Sequence, residues 1–181
     1  TPIYGVNTGF GALAETKVKK EDLKQLQINL IRSHSVGIGK PLSIEIVRAM
    51  MLLRANVLAK GYSGCRMVGI EHLLEMLNKN IIPIIPEKGS VGASGDLAPL
   101  AHLALAMIGE GSVYSDNNTI IISDVAFKKA KIHPLTLEAK EGLSLINGTQ
   151  AMSAMACIAA NKIKLLLKLA DIAGACSIEG I

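Results

Sequence analysis

The sequence predicts a mainly α fold with a small β-hairpin. Two observations carry that reading. Apolar residues recur at helical spacing through most of the chain, and one pair of short β-branched runs flanks a polar turn. The 181 residues are half hydrophobic and 19% charged, which suits a buried core and excludes a disordered chain. With no Trp, three Tyr and two Phe, that core has to be built from aliphatic side chains and Met.

Leu23, Leu26, Leu30 and Ile31 place a first helix over Glu21 to Arg32. A second starts at the N-cap Ser43, with Glu45 in its first turn, and stops at Lys60-Gly61. Val47, Met50, Met51 and Leu58 form its stripe, and its polar residues are sparse, so burial on most sides is expected. Ile70, Leu73, Leu74 and Leu77 mark a third helix. Two prolines make Ile81 to Pro86 an extended connector. After a loop with Gly89, Gly92 and Gly95, Asp96 opens a helix with Leu97, Leu100, Ala101, Ala104 and Ile108 on one face. Val113–Tyr114 and Thr119–Ile122 flank Ser115–Asn118 as a hairpin. Ser123 is a candidate cap for a short helix from Asp124 to Lys131. A further short helix is expected over Leu137 to Leu145, and a long one from Gly148 to near Ala175. The charge-free run Gly142 to Asn161 contains Asn147, Thr149 and Gln150, costly in lipid, and reads as a buried helix entered through a polar turn rather than a membrane span. No linker divides the chain, so residues 1–181 read as a single domain.

The net charge of +4 comes from interspersed signs, and the short runs Lys17–Lys20 and Lys128–Lys131 read as solvated faces. Nucleic-acid partners are not expected, because stacking aromatics are almost absent. Cys65, Cys157 and Cys176 are widely spaced and show no metal-ligand pattern, so free buried thiols in a reducing cytoplasm are expected. The chain opens at Thr1 in a glycine-rich segment and closes at Ile181 just after a helical run, which reads as a piece cut from a longer protein.

Three glycine-rich stretches carry the candidate chemistry. Gly9-Phe10-Gly11-Ala12-Leu13-Ala14 fits a loose dinucleotide pattern, but neither a preceding strand nor a βα alternation supports it. Gly39-Lys40 resembles the end of a phosphate loop, but His34 stands where its first glycine belongs. Gly89-Ser90-Val91-Gly92-Ala93-Ser94-Gly95-Asp96 could be a plain flexible loop in which Ser94 or Asp96 caps a helix. Glycine also permits a tight bend that brings the Gly95 nitrogen onto the Ala93 carbonyl carbon. Cyclisation with loss of two waters would then make an electrophile from the chain itself.

The run from Gly89 to His102 closely resembles the signature of the aromatic amino acid ammonia-lyases, in which Ala-Ser-Gly becomes 4-methylidene-imidazol-5-one (MIO). Tyr4-Gly5-Val6-Asn7-Thr8-Gly9 resembles the loop with the family's catalytic tyrosine, and Leu145 to Gln150 the segment with its active-site asparagine. Arg32-Ser33-His34-Ser35 resembles the histidine-specific branch, since phenylalanine lyases carry Phe-Leu at the Ser-His pair and tyrosine lyases place the His one position earlier.

The resemblance implies the helical N-terminal portion of the lyase fold, with the C-terminal helical half and its carboxylate-binding arginine absent. It implies elimination of ammonia from L-histidine to urocanate by a cytoplasmic homotetramer. The implied cofactor is MIO from Ala93, Ser94 and Gly95, with no metal or nucleotide. Tyr4 would remove the β-proton as phenolate, Asn147 would hydrogen-bond substrate or MIO, and His34 would recognise the imidazole. Gly92 and Asp96 would support the loop. Each residue also has a plain reading: a solvated loop aromatic for Tyr4, a structural histidine for His34, helix caps for Asn147 and Asp96. Another MIO enzyme, such as a tyrosine or phenylalanine lyase or an aminomutase, remains open, as does a folded piece without MIO. The isolated chain is expected to be inactive and to self-associate.

Overall fold

The computed structural model describes residues 1–93, 97–114 and 119–181. Seven α-helices are described: α1 Leu23–His34, α2 Ile44–Ala59, α3 Met67–Asn78, α4 Ala98–Met107, α5 Ser123–Ala130, α6 Glu141–Ile146 and α7 Gln150–Glu179. Short strands are β1 Ile38–Pro41, β2 Pro86–Lys88, β3 Ser112–Tyr114 and β4 Ile120–Ile122.

The core is aliphatic, as the composition requires. Ile31, Val47, Met50, Met51, Leu73, Met76, Ile85, Leu100 and Leu103 are wholly buried, and Phe127 is the one aromatic ring among them. α2 begins where its cap predicts: Ser43 Oγ accepts from Ile46 N at 3.4 Å, and Gly61 follows the helix at φ +82°. The hairpin also forms, with Ser112 opposite Ile122 and Tyr114 opposite Ile120. Its turn, Ser115–Asn118, lies outside the described residues.

Several expectations are corrected. Ser123 is the first residue of α5 and makes no cap; its buried hydroxyl has no partner among the described residues. α6 starts at Glu141 rather than Leu137, because Lys140 is left-handed (φ +72°) and the Glu141 carboxylate is taken by distant donors. Arg66 donates to it from its backbone and guanidinium at 2.7–2.9 Å, and Glu138 N at 2.8 Å. Burial pushes that carboxyl up, but these bonds outweigh it and hold Glu141 below its ordinary range. Leu74 faces solvent rather than the core.

The run Gly142 to Asn161 is not one buried helix. It breaks at Asn147–Thr149, and within α7 only Gln150, Ala151 and Ala154 are buried. Ile163, Leu165, Leu166, Leu167, Leu169 and Ile172 are each more than half exposed. By length and composition 141–179 could cross a membrane. Lys162, Lys164, Lys168 and Asp171 interrupt it. Cys157 and Cys176 lie exposed on this helix and Cys65 is half-buried, so the thiols are free but, against expectation, none is buried.

Candidate functional site

The structure sorts the sequence motifs into two neighbourhoods. One joins the His34 loop to the Gly89 loop. The chain leaves α1 at His34, turns, and enters β1, which pairs antiparallel with β2 just before Gly89. Ile38 lies opposite Lys88 and Pro41 opposite Pro86. Gly89 (φ +137°) sits so close to Gly37 that an added Cβ would be 2.9 Å from the Gly37 Cα. His102 on α4 fastens the same place, its Nε2 accepting from Gly37 N at 3.0 Å. That bond needs a lone pair on Nε2, and burial pushes His102 down, favouring the neutral ring.

His34 is half-buried at the end of α1. Its Nδ1 lies 2.9 Å from the Leu30 carbonyl and 3.0 Å from Ser33 Oγ, while Ser33 Oγ donates to the same carbonyl at 2.9 Å. A carbonyl oxygen only accepts, so in the neutral ring the proton sits on Nδ1 and Nε2 is left as an acceptor. Arg32 pins this end of the helix through a two-pronged pair with Glu110 at 2.5 and 2.7 Å. Beside His34 a cleft of about 230 Å³ opens, walled by Val36, Gly89, Val91 and Leu97. The Gly89 loop therefore borders the histidine directly. Gly92 bends at φ +66°, a Cβ there would meet nothing within 4 Å among the described residues, and Ala93 is exposed. Ser94, Gly95 and Asp96 lie outside the described residues.

The second neighbourhood sets the Tyr4 turn against α6, the helix that leads to Asn147. The Tyr4 turn is closed by Val6 N and Asn7 N donating to Ile3 O at 3.1 Å, and Asn7 Oδ1 accepts from Ile3 N at 2.6 Å. Gly5 (φ +75°) rests on α6, where an added Cβ would be 2.8 Å from Leu143 Cδ2. The Tyr4 ring is half exposed and meets Phe10 edge-on at 6.0 Å. Asn147 follows α6 in extended conformation, exposed, with its backbone N donating to Leu143 O at 3.0 Å. It does not cap α7, whose N-cap position is Thr149. A cleft of about 170 Å³ lies here, lined by Asn147, Lys140, Ser144, Ser63 and Arg54.

Sequence reasoning passed over Arg54. It is 1% exposed, and burial pushes its guanidinium down to about 10. The signal was present, because Arg54 is the one charged residue on the stripe of Val47, Met51, Ala55 and Leu58. His102 was read as part of a motif without a role. Cys65 offers no nucleophile: burial, with Glu141 adding to it, pushes its thiol up to about 11. Among the described residues no three His, Cys, Asp or Glu side chains converge on a metal position.

The description "Aromatic amino acid lyase" matches residues 1–181. Histidine ammonia-lyase of Myxococcus xanthus is 53% identical over all 181 residues, which are 35% of its own length. That of Geobacillus thermodenitrificans is 61% identical over 158 residues, 87% of this chain and 31% of the relative. Among solved structures, histidine ammonia-lyase from Trypanosoma cruzi superposes with a TM-score of 0.75 at 46% identity, covering 84% of this chain and 28% of that one. The phenylalanine aminomutase of Pantoea agglomerans gives 0.87 at 38% identity, covering 92% and 32%. The chain thus spans about a third of the length of the curated relatives it matches.

Proposed function

The chain belongs to the aromatic amino acid lyase family, and we propose that the full-length protein eliminates ammonia from L-histidine to give urocanate. The observation that carries the substrate reading is His34. Its Nδ1 is committed to the Leu30 carbonyl, and the ring borders a cleft walled by the Gly89 loop. An acceptor Nε2 there suits the N–H of a substrate imidazole. The naming of relatives at 50–61% identity as histidine ammonia-lyases supports the same reading.

Ala93, Ser94 and Gly95 are the residues that would form MIO. The flanks fit such a group, because Gly89 is packed on Gly37 and Ala98, and Gly92 supplies a positive-φ bend. When formed, MIO supplies an electrophile that no standard side chain provides. The remaining chemistry falls to this chain's own side chains. Tyr4 Oη takes the β-proton, the released electron pair forms the Cα–Cβ double bond, and the Cα–N pair departs with ammonia. Asn147, which lines the second cleft, would hydrogen-bond the substrate. Asp96 would brace the loop. In this reading the protein works in the cytoplasm as a homotetramer, and an arginine of the C-terminal helical half holds the substrate carboxylate.

A same-fold alternative is kept open by the tyrosine aminomutase of Streptomyces globisporus, 44% identical with a TM-score of 0.78. Replacing His34 separates the two. In the full-length protein, His34→Ala should cut kcat/KM for histidine relative to tyrosine by at least about tenfold. Unchanged selectivity would remove His34 from substrate recognition. Intact mass should be lower than the sequence mass by two waters, and an unmodified mass would deny the chain its MIO.

A further inference from the structure

We propose that Arg54 is a positioning residue for Asn147, gripping the turn Asn147–Thr149 from both sides. One guanidinium nitrogen, Nη1, donates to Gln150 Oε1 at 2.8 Å, on the first residue of α7. The other, Nη2, donates to the carbonyl of Ser144, in the last turn of α6. Such a carbonyl has no partner within its own helix, so an outside donor is required. The two acceptors bracket Asn147, Gly148 and Thr149.

The arrangement is costly as mere packing. Arg54 sits on the buried stripe of α2, and among the described residues its guanidinium meets neutral oxygens and no carboxylate, so its charge is desolvated at a cost. A Leu or Met would fill the same space more cheaply. What only Arg provides is a rigid planar fork that fixes two acceptors relative to each other. The turn is moulded to it: a Cβ at Gly148 would run into the Arg54 guanidinium and Gln150 Oε1. Arg54 and Asn147 line the same cleft, Arg54 as a buried residue and Asn147 as an exposed one. The inference rests on the reading of Asn147 as a residue of the reaction.

The test uses the full-length protein. Arg54→Lys keeps the buried charge but loses the fork. Amide hydrogen exchange at 147–149 should quicken by about tenfold or more while that of α2 changes by less than about twofold. With histidine, kcat should fall by about 10- to 100-fold with KM shifted by less than about threefold. In an Asn147→Ala background, the same change should cost less than about twofold, since nothing is left to position. Unchanged exchange at 147–149, or the same loss of kcat in both backgrounds, overturns the proposal. If Arg54→Lys does not fold, Gln150→Met removes one acceptor and carries the same expectations in weaker form. A wild-type protein that turns over no histidine, tyrosine or phenylalanine would sink the functional reading instead, and the exchange measurement still decides whether Arg54 holds the turn.

Discussion

α2 and α7 are both long, apolar helices, yet the chain treats them in opposite ways. α2 buries Val47, Met50, Met51, Ala55 and Leu58, and carries a sequestered cation in the same stripe. α7 buries only Gln150, Ala151 and Ala154 near its start and presents Leu165, Leu166, Leu167 and Leu169 to the outside. The difference separates a region whose apolar residues are buried within the chain from one whose apolar residues are left open. The loops bearing His34, Gly89–Ala93, Tyr4 and Asn147 are anchored on the completed part by bonds within the chain. The apolar face of α7 is surface of a kind that soluble proteins rarely leave open.

The largest expected effect concerns activity. The isolated chain should release no urocanate from histidine, and it should self-associate through its open apolar surface. Detectable turnover, or a strictly monomeric profile by light scattering, would break the contrast between a finished and an unfinished region.

Truncations within the isolated chain should show the same contrast in stability. Met51→Ala empties a fully buried site and should cost about 2–5 kcal/mol by chemical denaturation. Under dilute conditions in which the chain is dissociated, Leu167→Ala removes a side chain that is 62% exposed and should change stability by less than about 0.5 kcal/mol. Comparable losses at the two positions would show that α7 is covered in solution.

A smaller effect is set by pH. Burial lowers both His72 and His102 in the folded chain. The unfolded chain therefore takes up these protons first, so stability is full above the ordinary histidine value of 6.5 and declines as pH falls below it. The decline levels off only below the lowered folded values. His102→Gln keeps an acceptor for Gly37 N without titrating, so its melting temperature should drop less between pH 8 and pH 5 than that of the parent. An identical drop would remove His102 from the acid response.

Local signals were legible in the sequence. Ser43 and Gly61 bounded α2 correctly because a cap and a left-handed stop act within a few residues. The hairpin was legible for the same reason. Pairings between distant segments were not. The β1–β2 ladder joins two short stretches with no alternation of their own. The late start of α6 depends on Glu141 meeting Arg66, 75 residues away. Periodicity also showed that α7 has an apolar face without showing whether anything covers it. The candidate site divides similarly. Motifs named Tyr4, His34, Ala93 and Asn147, and the fold placed His34 by the Gly89 loop and Tyr4 by the helix that leads to Asn147. Arg54 escaped because a lone charge on an apolar stripe was read for its neighbours. Ser94, Gly95 and Asp96 were singled out by the sequence and lie outside the described residues.

The most direct test of the account is to assay the full-length protein side by side on L-histidine, L-tyrosine and L-phenylalanine. The account predicts release of urocanate and ammonia, with kcat/KM for histidine well above that for the other two. Turnover of tyrosine or phenylalanine without urocanate from histidine would contradict it.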